Sequence, residues 1–186
     1  MAIQVQQTGL EGVIVIEPQV YGDARGFFLE TCSWPKYEAL GISRPFVQDN
    51  HSRSCRNVLR GLHFQLNHPQ GKLVYCVRGR IWDVAVDIRR GSETFGQWFG
   101  VELSEENHRQ IYVPEGFAHG FVVLSEWADV YYKCTDVYHP GDDFGIYYGD
   151  EQIGIDWPVD GEVILSAKDA VNPRLADVDP GRLPVL

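Results

Sequence analysis

The segment KLVYCVRGRIWDVAVDIR, residues 72–89, contains two apolar runs that are separated by Gly79. In the second run two sets of residues alternate, Trp82, Val84, Val86 and Ile88 against Ile81, Asp83, Ala85, Asp87 and Arg89. An alternation with a period of two places each set on its own face of a β-strand. Because a glycine between two such runs is typical of a hairpin turn, the segment predicts an antiparallel pair of strands.

The same pattern recurs along the chain, with proline and glycine between the runs. The further predicted strands are Gly12–Glu17, Gly26–Thr31, Val58–Gln65, Gln97–Leu103, Gln110–Val113, Ala118–Leu124 and Asp129–Thr135. Helix signals are few, and they cover Ser33–Leu40, one turn at Ser104 and a short helix in LSAKDA (165–170). Many closely spaced strands with few helices predict an all-β sandwich or closed barrel. A length of 186 residues without a linker or repeat suits a single domain over residues 1–186.

The formal net charge of −10 argues against general binding to nucleic acid or to a membrane surface. An anionic ligand would therefore need a local cluster of basic side chains. The N-terminus lacks the features of a signal peptide, and no apolar run approaches the length of a membrane span. The four cysteines form no CxxC pair, which favours buried reduced thiols, at Cys32, Cys55, Cys76 and Cys134. We therefore expect a soluble cytoplasmic protein.

The predicted strand VLRGLHFQ, residues 58–65, carries polar residues that a core strand does not need. In a regular strand Arg60 and His63 face opposite sides of the sheet, because they are three residues apart. Gly61 lies between them, and a glycine inside a strand often marks a bulge that shifts the alternation by one residue. If a bulge is present, Arg60 and His63 point into the same cavity.

Other predicted strands also carry polar residues, at Gln48, Asn50, Lys72, His119 and Tyr132. Polar residues on several strands of a small barrel indicate a polar interior, which is the usual place for a ligand. Each residue taken alone is explained at least as well by a structural role, such as a hydrogen-bonded histidine or a half-buried tyrosine. A metal site is disfavoured, because His63 and His119 are far apart and no HxH or HxxE pattern surrounds either.

Six segments taken together resemble the dTDP-4-dehydrorhamnose 3,5-epimerase family. They are EPQVYGDARGFFLE, FVQDNHSRSCRNVLRGLHFQ, QGKLVYCVRGRIWDVAVDIRRGSETFGQW, PEGFAHGFVVLSE, YYKCTDVYHP and LSAKDA, in the order of the family. The resemblance covers nearly the whole chain except the last dozen residues or so. It implies a cupin-like jelly roll, an antiparallel β-barrel with a few short peripheral helices. It also implies a homodimer that needs no metal and no organic cofactor.

The resemblance implies a dTDP-linked 4-keto-6-deoxyhexose as substrate and inversion of both carbons beside the ketone. By the family pattern His63 is the base, Asp169 orients it, Tyr132 is the acid on the opposite face and Lys72 stabilises the enolate. The substrate-binding residues implied by position are Arg25, Glu30, Gln48, Asp49, Asn50, Arg60, Lys72, His119, Tyr138, Asp143 and Lys168. At Asp143 the family commonly has glutamate, so this contact is shorter here.

Two points stay open in the sequence. Asp83 either orients His119 from a neighbouring strand or only supports the sheet. Relatives with much the same site invert one carbon only, so a single-centre epimerase is the first alternative to double inversion. A sugar-binding jelly roll without catalytic activity is the second alternative, and a metal cupin is the third.

Overall fold

The computed structural model describes residues 3–186, and β-strands dominate it. The strands are Gln4–Gln7 (β1), Ile14–Glu17 (β2), Val20–Asp23 (β3), Gly26–Leu29 (β4), Gln48–Cys55 (β5), Leu59–Gln65 (β6), Lys72–Arg78 (β7), Arg80–Asp87 (β8), Trp98–Ser104 (β9), Gln110–Val113 (β10), Phe117–Val123 (β11), Trp127–Cys134 (β12) and Asp143–Gly145 (β13). One α-helix, α1, spans Trp34–Glu38. Short 3-10 helices span Pro140–Asp142, Asp169–Val171, Leu175–Asp177 and Pro180–Arg182.

The strands form two antiparallel sheets that pack face to face, as expected for a jelly roll. One sheet has the order β1-β2-β10-β7-β12-β5, and the other has the order β13-β6-β11-β8-β9. Strands β3 and β4 form a separate two-stranded hairpin. The sequence prediction of a cupin-like jelly roll with a few short helices is confirmed.

The alternation in the β8 segment is also confirmed. Ile81 and Ala85 face the core between the two sheets, where they pack with residues such as Val74 and Phe121. Val84 and the other members of its set face the opposite side, and there the C-terminal segment covers them. A third cluster lies outside the larger sheet, under α1. Each sheet therefore has a covered outer surface over part of its width.

Most predicted elements agree with the structure to within two residues at each end, but two expectations need correction. The antiparallel pair predicted across Gly79 does not form, because β7 pairs with β10 and β12 in one sheet whereas β8 pairs with β11 and β9 in the other, so the chain passes from one sheet to the other at Gly79. The predicted helix in LSAKDA is only the 3-10 turn Asp169–Val171.

The single turn expected at Ser104, by contrast, is present: the His108 amide donates to the Ser104 carbonyl at 3.1 Å, the Asn107 amide donates to Ser104 Oγ at 3.1 Å, and Asn107 Oδ1 accepts from the Ser104 amide at 3.0 Å. Strands β1, β3 and β13 were not predicted, because they are short or polar, and only the first residues of β5, in the segment VQDNH, were recognised as strand-like.

Candidate active site

The bulge at Gly61 exists. His119 of β11 pairs with His63, whereas Phe121, two residues further on, pairs with Arg60, so β6 contains one extra residue. Gly61 has a φ of 126°, and a Cβ there would lie 2.6 Å from Gly120 Cα. Only glycine satisfies both constraints. After the bulge, Leu62 packs into the core on the outer side of the sheet, while the flanking Arg60 and His63 remain partly exposed.

A cleft of about 300 Å³ opens between the two sheets. Its lining residues are Gln48, Asn50, His63, Phe64, Gln65, Gln70, Lys72, Tyr132, Tyr138 and Asp143. The strand pairings explain this grouping: Cys134 of β12 lies opposite Lys72 of β7, and Tyr132 lies opposite Asn50 of β5. The structure thus brings together three of the four residues that sequence reasoning named as catalytic. The fourth, Asp169, lies directly behind His63.

His63 and Asp169 form a close pair. The Nε2 atom of His63 lies 2.6 Å from Asp169 Oδ1, and Asp169 is buried. Burial by itself would raise the pKa of Asp169, but the hydrogen bond and the charge of His63, together with the bond from Ser166, outweigh burial and lower it. The ionised carboxylate fixes the proton of the neutral imidazole on Nε2. The lone pair on Nδ1 is then available as a base.

Lys72 enters the cleft from the first residue of β7. Burial lowers the pKa of its ammonium group, while the nearby Cys134, Asp143 and Asp83 act in the opposite direction. Among residues 3–186, Lys72 Nζ has no hydrogen-bond or ion-pair partner. The ammonium group is therefore available to an oxygen atom of a ligand.

Tyr132 faces the cleft from the middle of β12. Burial raises the pKa of its phenol, and the charge of Arg60 opposes that shift in part. The phenol is accordingly protonated at neutral pH and can donate a proton. The site thus combines a base, an acid and a cation, which are the groups that proton transfer beside a ketone requires.

A second cavity of about 270 Å³ adjoins the first at His63. Arg60, His63 and Asp169 all line it, so the sequence inference that a bulge gives Arg60 and His63 a common cavity is confirmed. The Nε atom of Arg60 donates to Ser54 Oγ at 3.0 Å, which holds the guanidinium group in place.

His119 and Asp83 form another pair behind the cleft. The Nε2 atom of His119 lies 2.9 Å from both carboxylate oxygens of Asp83, and both residues are buried. Of the two roles considered for Asp83, the structure supports the orientation of His119. His119 is the cross-strand neighbour of His63, although it does not line the cleft itself.

Tyr138, Asp143 and Lys168 meet at the mouth of the cleft. The hydroxyl group of Tyr138 donates to Asp143 Oδ2 at 2.9 Å, and the ammonium group of Lys168 forms an ion pair with the same oxygen. All three residues were named as binding residues from the sequence, and the structure places them in one cluster.

Three other expected binding residues lie away from the cleft of this chain. The Arg25 side chain is 89% exposed on the β3–β4 hairpin and pairs with Asp23. Glu30 follows the same hairpin and pairs with Lys36. Asp49 points to the outer face of its sheet and binds Lys133 at 2.8 Å. None of these three side chains lines the same cleft as His63 in its own chain, so their role in substrate binding stays a prediction.

Sequence reasoning also missed residues that shape the cleft. Gln65 donates to the carbonyl of His68 at 2.6 Å and accepts from the amide of His139 at 2.8 Å, so it joins the loops on both sides of the mouth. Asn50 donates to the thiol of Cys134 at 3.6 Å. The polar pattern of β6 was a signal for Gln65, but no sequence signal indicated that Cys134 lies beside Asn50 and opposite Lys72.

Within residues 3–186 no three His, Cys, Asp or Glu side chains are grouped so that they could hold a metal ion. The expectation that the site needs no metal therefore stays a prediction. The part of the chain that the structure describes also contains no helix with the length and apolar character needed to cross a membrane.

An antiparallel jelly roll with a base, an acid and a lysine around one cleft is a cupin-like acid–base enzyme. Comparison with known proteins makes the family specific. The model of the dTDP-4-dehydrorhamnose 3,5-epimerase family matches residues 7–177. The enzyme of that description from Salmonella typhimurium is 55% identical over 173 residues, which are 92% of this chain and 94% of the relative.

A solved structure leads to the same family. The dTDP-6-deoxy-D-glucose-3,5-epimerase of Legionella pneumophila, solved in complex with dTDP-4-keto-L-rhamnose, superposes with a TM-score of 0.98. It is 53% identical, and the match covers 100% of this chain and 99% of that one. A dTDP-4-dehydrorhamnose 3-epimerase of Streptomyces niveus is 39% identical over 98% of this chain and 89% of its own length. The chain belongs to the dTDP-4-dehydrorhamnose 3,5-epimerase family.

Proposed function

We propose that this protein inverts C3 and C5 of dTDP-4-dehydro-6-deoxy-D-glucose and so forms dTDP-4-dehydro-L-rhamnose, a step of dTDP-L-rhamnose biosynthesis. One observation carries the proposal: His63, Lys72 and Tyr132 line the same cleft, and Asp169 lies behind His63. The family assignment supports the same reaction.

The reaction begins at the hydrogen on a carbon beside the ketone. Nδ1 of His63 removes this hydrogen as a proton. The C–H electron pair forms a C=C bond to the carbonyl carbon, and the π electrons of the C=O bond move to the oxygen, which gives an enolate. Lys72 stabilises the charge on that oxygen. A donor of this kind contributes roughly 10²–10³ to kcat in other enzymes. Tyr132 then gives its proton to the opposite face of the carbon, which inverts the centre.

The same three groups serve both carbons. After the first inversion His63 carries the removed proton and Tyr132 has lost its own. His63 must therefore release a proton and Tyr132 must gain one before the second inversion. Both exchanges use water, so hydrogen from the solvent enters the sugar at each inverted carbon.

The cations of the cleft suit a diphosphate on an otherwise acidic protein. Arg60, Lys72 and Lys168 supply local positive charge against the net charge of −10. Tyr138 is half exposed at the mouth, where its ring is free to stack on a thymine base. Gln48 and Asn50 line the sugar end of the cleft.

The test is to incubate the protein with dTDP-4-keto-6-deoxyglucose in heavy water and to use NMR to detect where deuterium enters the sugar. We expect label at both C3 and C5 together with the inverted product. Label at C3 or C5 alone would identify a single-centre epimerase, an alternative that the 39% identity to a 3-epimerase keeps relevant. Binding without label would identify a sugar-binding protein and overturn the catalytic proposal.

The protein also acts without a metal or organic cofactor in this proposal. Prolonged dialysis against a chelator should leave the rate of inversion unchanged, because His63 and Tyr132 perform the proton transfers and Lys72 stabilises the enolate. A loss of activity that added metal restores would contradict this part of the proposal. Four free thiols agree with a reducing compartment, and we propose a cytoplasmic location.

The protein is further proposed to act as a homodimer. The outer face of β7 and β12 carries exposed apolar side chains, among them Val77, Trp127 and Tyr131. Phe27 and Phe28 on the β3–β4 hairpin are 62% and 69% exposed. Exposed apolar groups of this size are typical of an interface. A dimer would also allow Arg25 and Glu30 to reach the cleft of the partner subunit.

A further inference from the structure

The carboxylate of Asp143 holds two groups at the mouth of the cleft. The Tyr138 hydroxyl and the Lys168 ammonium both donate to Oδ2 of Asp143. Lys168 Nζ also lies 3.4 Å from the Asp143 carbonyl oxygen. Asp143 follows Tyr138 by five residues, whereas Lys168 lies 25 residues further along the chain, so the carboxylate joins the segment that follows β12 to the LSAKDA segment.

Asp143 is the fixed member of this group. Its backbone belongs to β13, where it pairs with Gln65 of β6, and its side chain is 19% exposed. Tyr138 is held a second time, because its amide donates to Gln48 Oε1 at 2.8 Å. The Lys168 side chain is 45% exposed and has Asp143 as its only ion-pair partner among the described residues. Of the three residues, Lys168 is therefore the one whose side chain can move away from Asp143.

The position of this group bears on binding. Asp143 lines the cleft, and its negative charge neutralises Lys168 at the point where a diphosphate would enter. A diphosphate and a carboxylate compete for the same ammonium group, because both are anionic hydrogen-bond acceptors.

We propose that Asp143 is a latch that keeps Lys168 beside Tyr138 in the free protein and releases Lys168 to the diphosphate of the incoming nucleotide sugar. Asp143 is then a positioning residue that sets the affinity of the site, and this role replaces the direct ligand contact that the resemblance implies for the longer glutamate at this position. The inference rests on the proposed function, because it assumes a diphosphate ligand.

Calorimetric titration with dTDP tests the latch. Asp143→Asn removes the charge but keeps an oxygen that accepts the Tyr138 hydroxyl. We expect dTDP to bind about fivefold more tightly to D143N, which corresponds to about 1 kcal/mol. D143E keeps the charge and should stay closer to the wild type than D143N does. Weaker binding by D143N would show that Asp143 contacts the ligand and would overturn the latch.

Two further variants isolate the contribution of the ion pair. In a Lys168→Met background, D143N should change the Kd for dTDP by less than twofold, because the group that Asp143 restrains is gone. Glu17→Gln is the matched control: it removes a carboxylate that pairs with Arg109 at 2.8 Å on a different part of the surface. E17Q should leave the Kd unchanged, whereas an equal effect of E17Q and D143N would show a general effect of net charge.

A second measurement needs no nucleotide. Mass spectrometry can follow the rate at which reductive methylation modifies Lys168, with Lys133 as the internal reference. The rate at Lys168 should rise several-fold in D143N, and pyrophosphate should protect Lys168 in both proteins. Equal rates at Lys168 in D143N and the wild type would overturn the latch. If wild-type protein fails to bind dTDP, the proposed function fails, and the methylation rates still decide the latch.

Discussion

At the scale of single residues, the pair of His63 and Asp169 shows how a buried carboxylate determines the role of an imidazole. Asp169 Oδ1 forms a hydrogen bond of 2.6 Å with Nε2 of His63, so Nδ1 is the ring nitrogen that remains available to the substrate. The carboxylate stays ionised despite its burial, because hydrogen bonds from His63 and Ser166 favour the charged form. The orientation of the base therefore depends on a residue that lies 106 positions away in the chain.

The first prediction concerns Asp169→Asn and pH. The folded-state pKa of Asp169 lies below its unfolded value, so its stabilising contribution is present above about pH 4 and is lost as the pH falls through the folded pKa. We expect D169N to lower the free energy of unfolding by about 1–3 kcal/mol at pH 7. The difference from wild type should shrink below about pH 4. Urea unfolding at pH 7, 5 and 3.5 measures this, and a difference independent of pH would contradict it.

The second prediction separates the acid from the base. Tyr132→Phe removes the proton donor but leaves His63 in place, so inversion should fall by roughly 10²–10⁴. His63 should still exchange substrate hydrogen for solvent deuterium on its own face. NMR in heavy water then shows label in the starting sugar without product. His63→Asn, the comparison variant, should abolish both exchange and inversion; exchange that persists in H63N would show that another group is the base.

At the scale of secondary structure, the bulge in β6 decides which side chains reach the cleft. One extra residue at Gly61 reverses the alternation, so that Arg60 and His63 share a cavity while Leu62 packs in the outer core. The bulge is possible because Gly61 approaches Gly120 of β11 more closely than any side chain allows. Two glycines on neighbouring strands thus support the position of the base.

The third prediction tests this bulge. In Gly61→Ala the new Cβ would lie 2.6 Å from Gly120 Cα and 2.8 Å from the His119 carbonyl oxygen, at a φ of 126°. We expect a loss of about 2–4 kcal/mol in the free energy of unfolding, together with a lower kcat. Gly9→Ala is the matched control, because no atom lies within 4 Å of the added Cβ. Equal stability of G61A and G9A in urea unfolding would show that the bulge tolerates a side chain.

At the scale of the whole molecule, the proposed homodimer rests on the arrangement of charge and apolar surface. Arg25 and Glu30 were expected at the ligand, yet they lie on a hairpin that is outside the cleft of their own chain. The same hairpin exposes Phe27 and Phe28. In a closed dimer with twofold symmetry, each hairpin can serve the cleft of the other chain.

The fourth prediction uses complementation between two inactive variants. Arg25→Ala and His63→Asn should each have little activity as pure dimers. After unfolding together and refolding, a mixed dimer contains one site with His63 from one chain and Arg25 from the other. Half of the dimers are mixed after random pairing, so about one quarter of the wild-type activity should return. No recovery of activity, with dimers confirmed by light scattering, would show that Arg25 serves its own chain or no site at all.

The sequence by itself determined the class of fold, because alternation with a period of two is local. The two faces of β8 could be assigned from residues 81–89 alone, and they are confirmed. The family motifs also identified His63, Lys72, Tyr132 and Asp169, and the structure brings all four together.

Only the tertiary structure decided how these side chains are oriented and which of them meet. The sequence left the bulge at Gly61 conditional, because a bulge depends on the neighbouring strand β11. It did not reveal that Asp143 holds Lys168, or that Arg25 lies outside the cleft of its own chain. The physical reason is the same in each case: a strand pattern encodes which face a side chain takes, whereas hydrogen bonds and ion pairs depend on distances between segments that are remote in the chain.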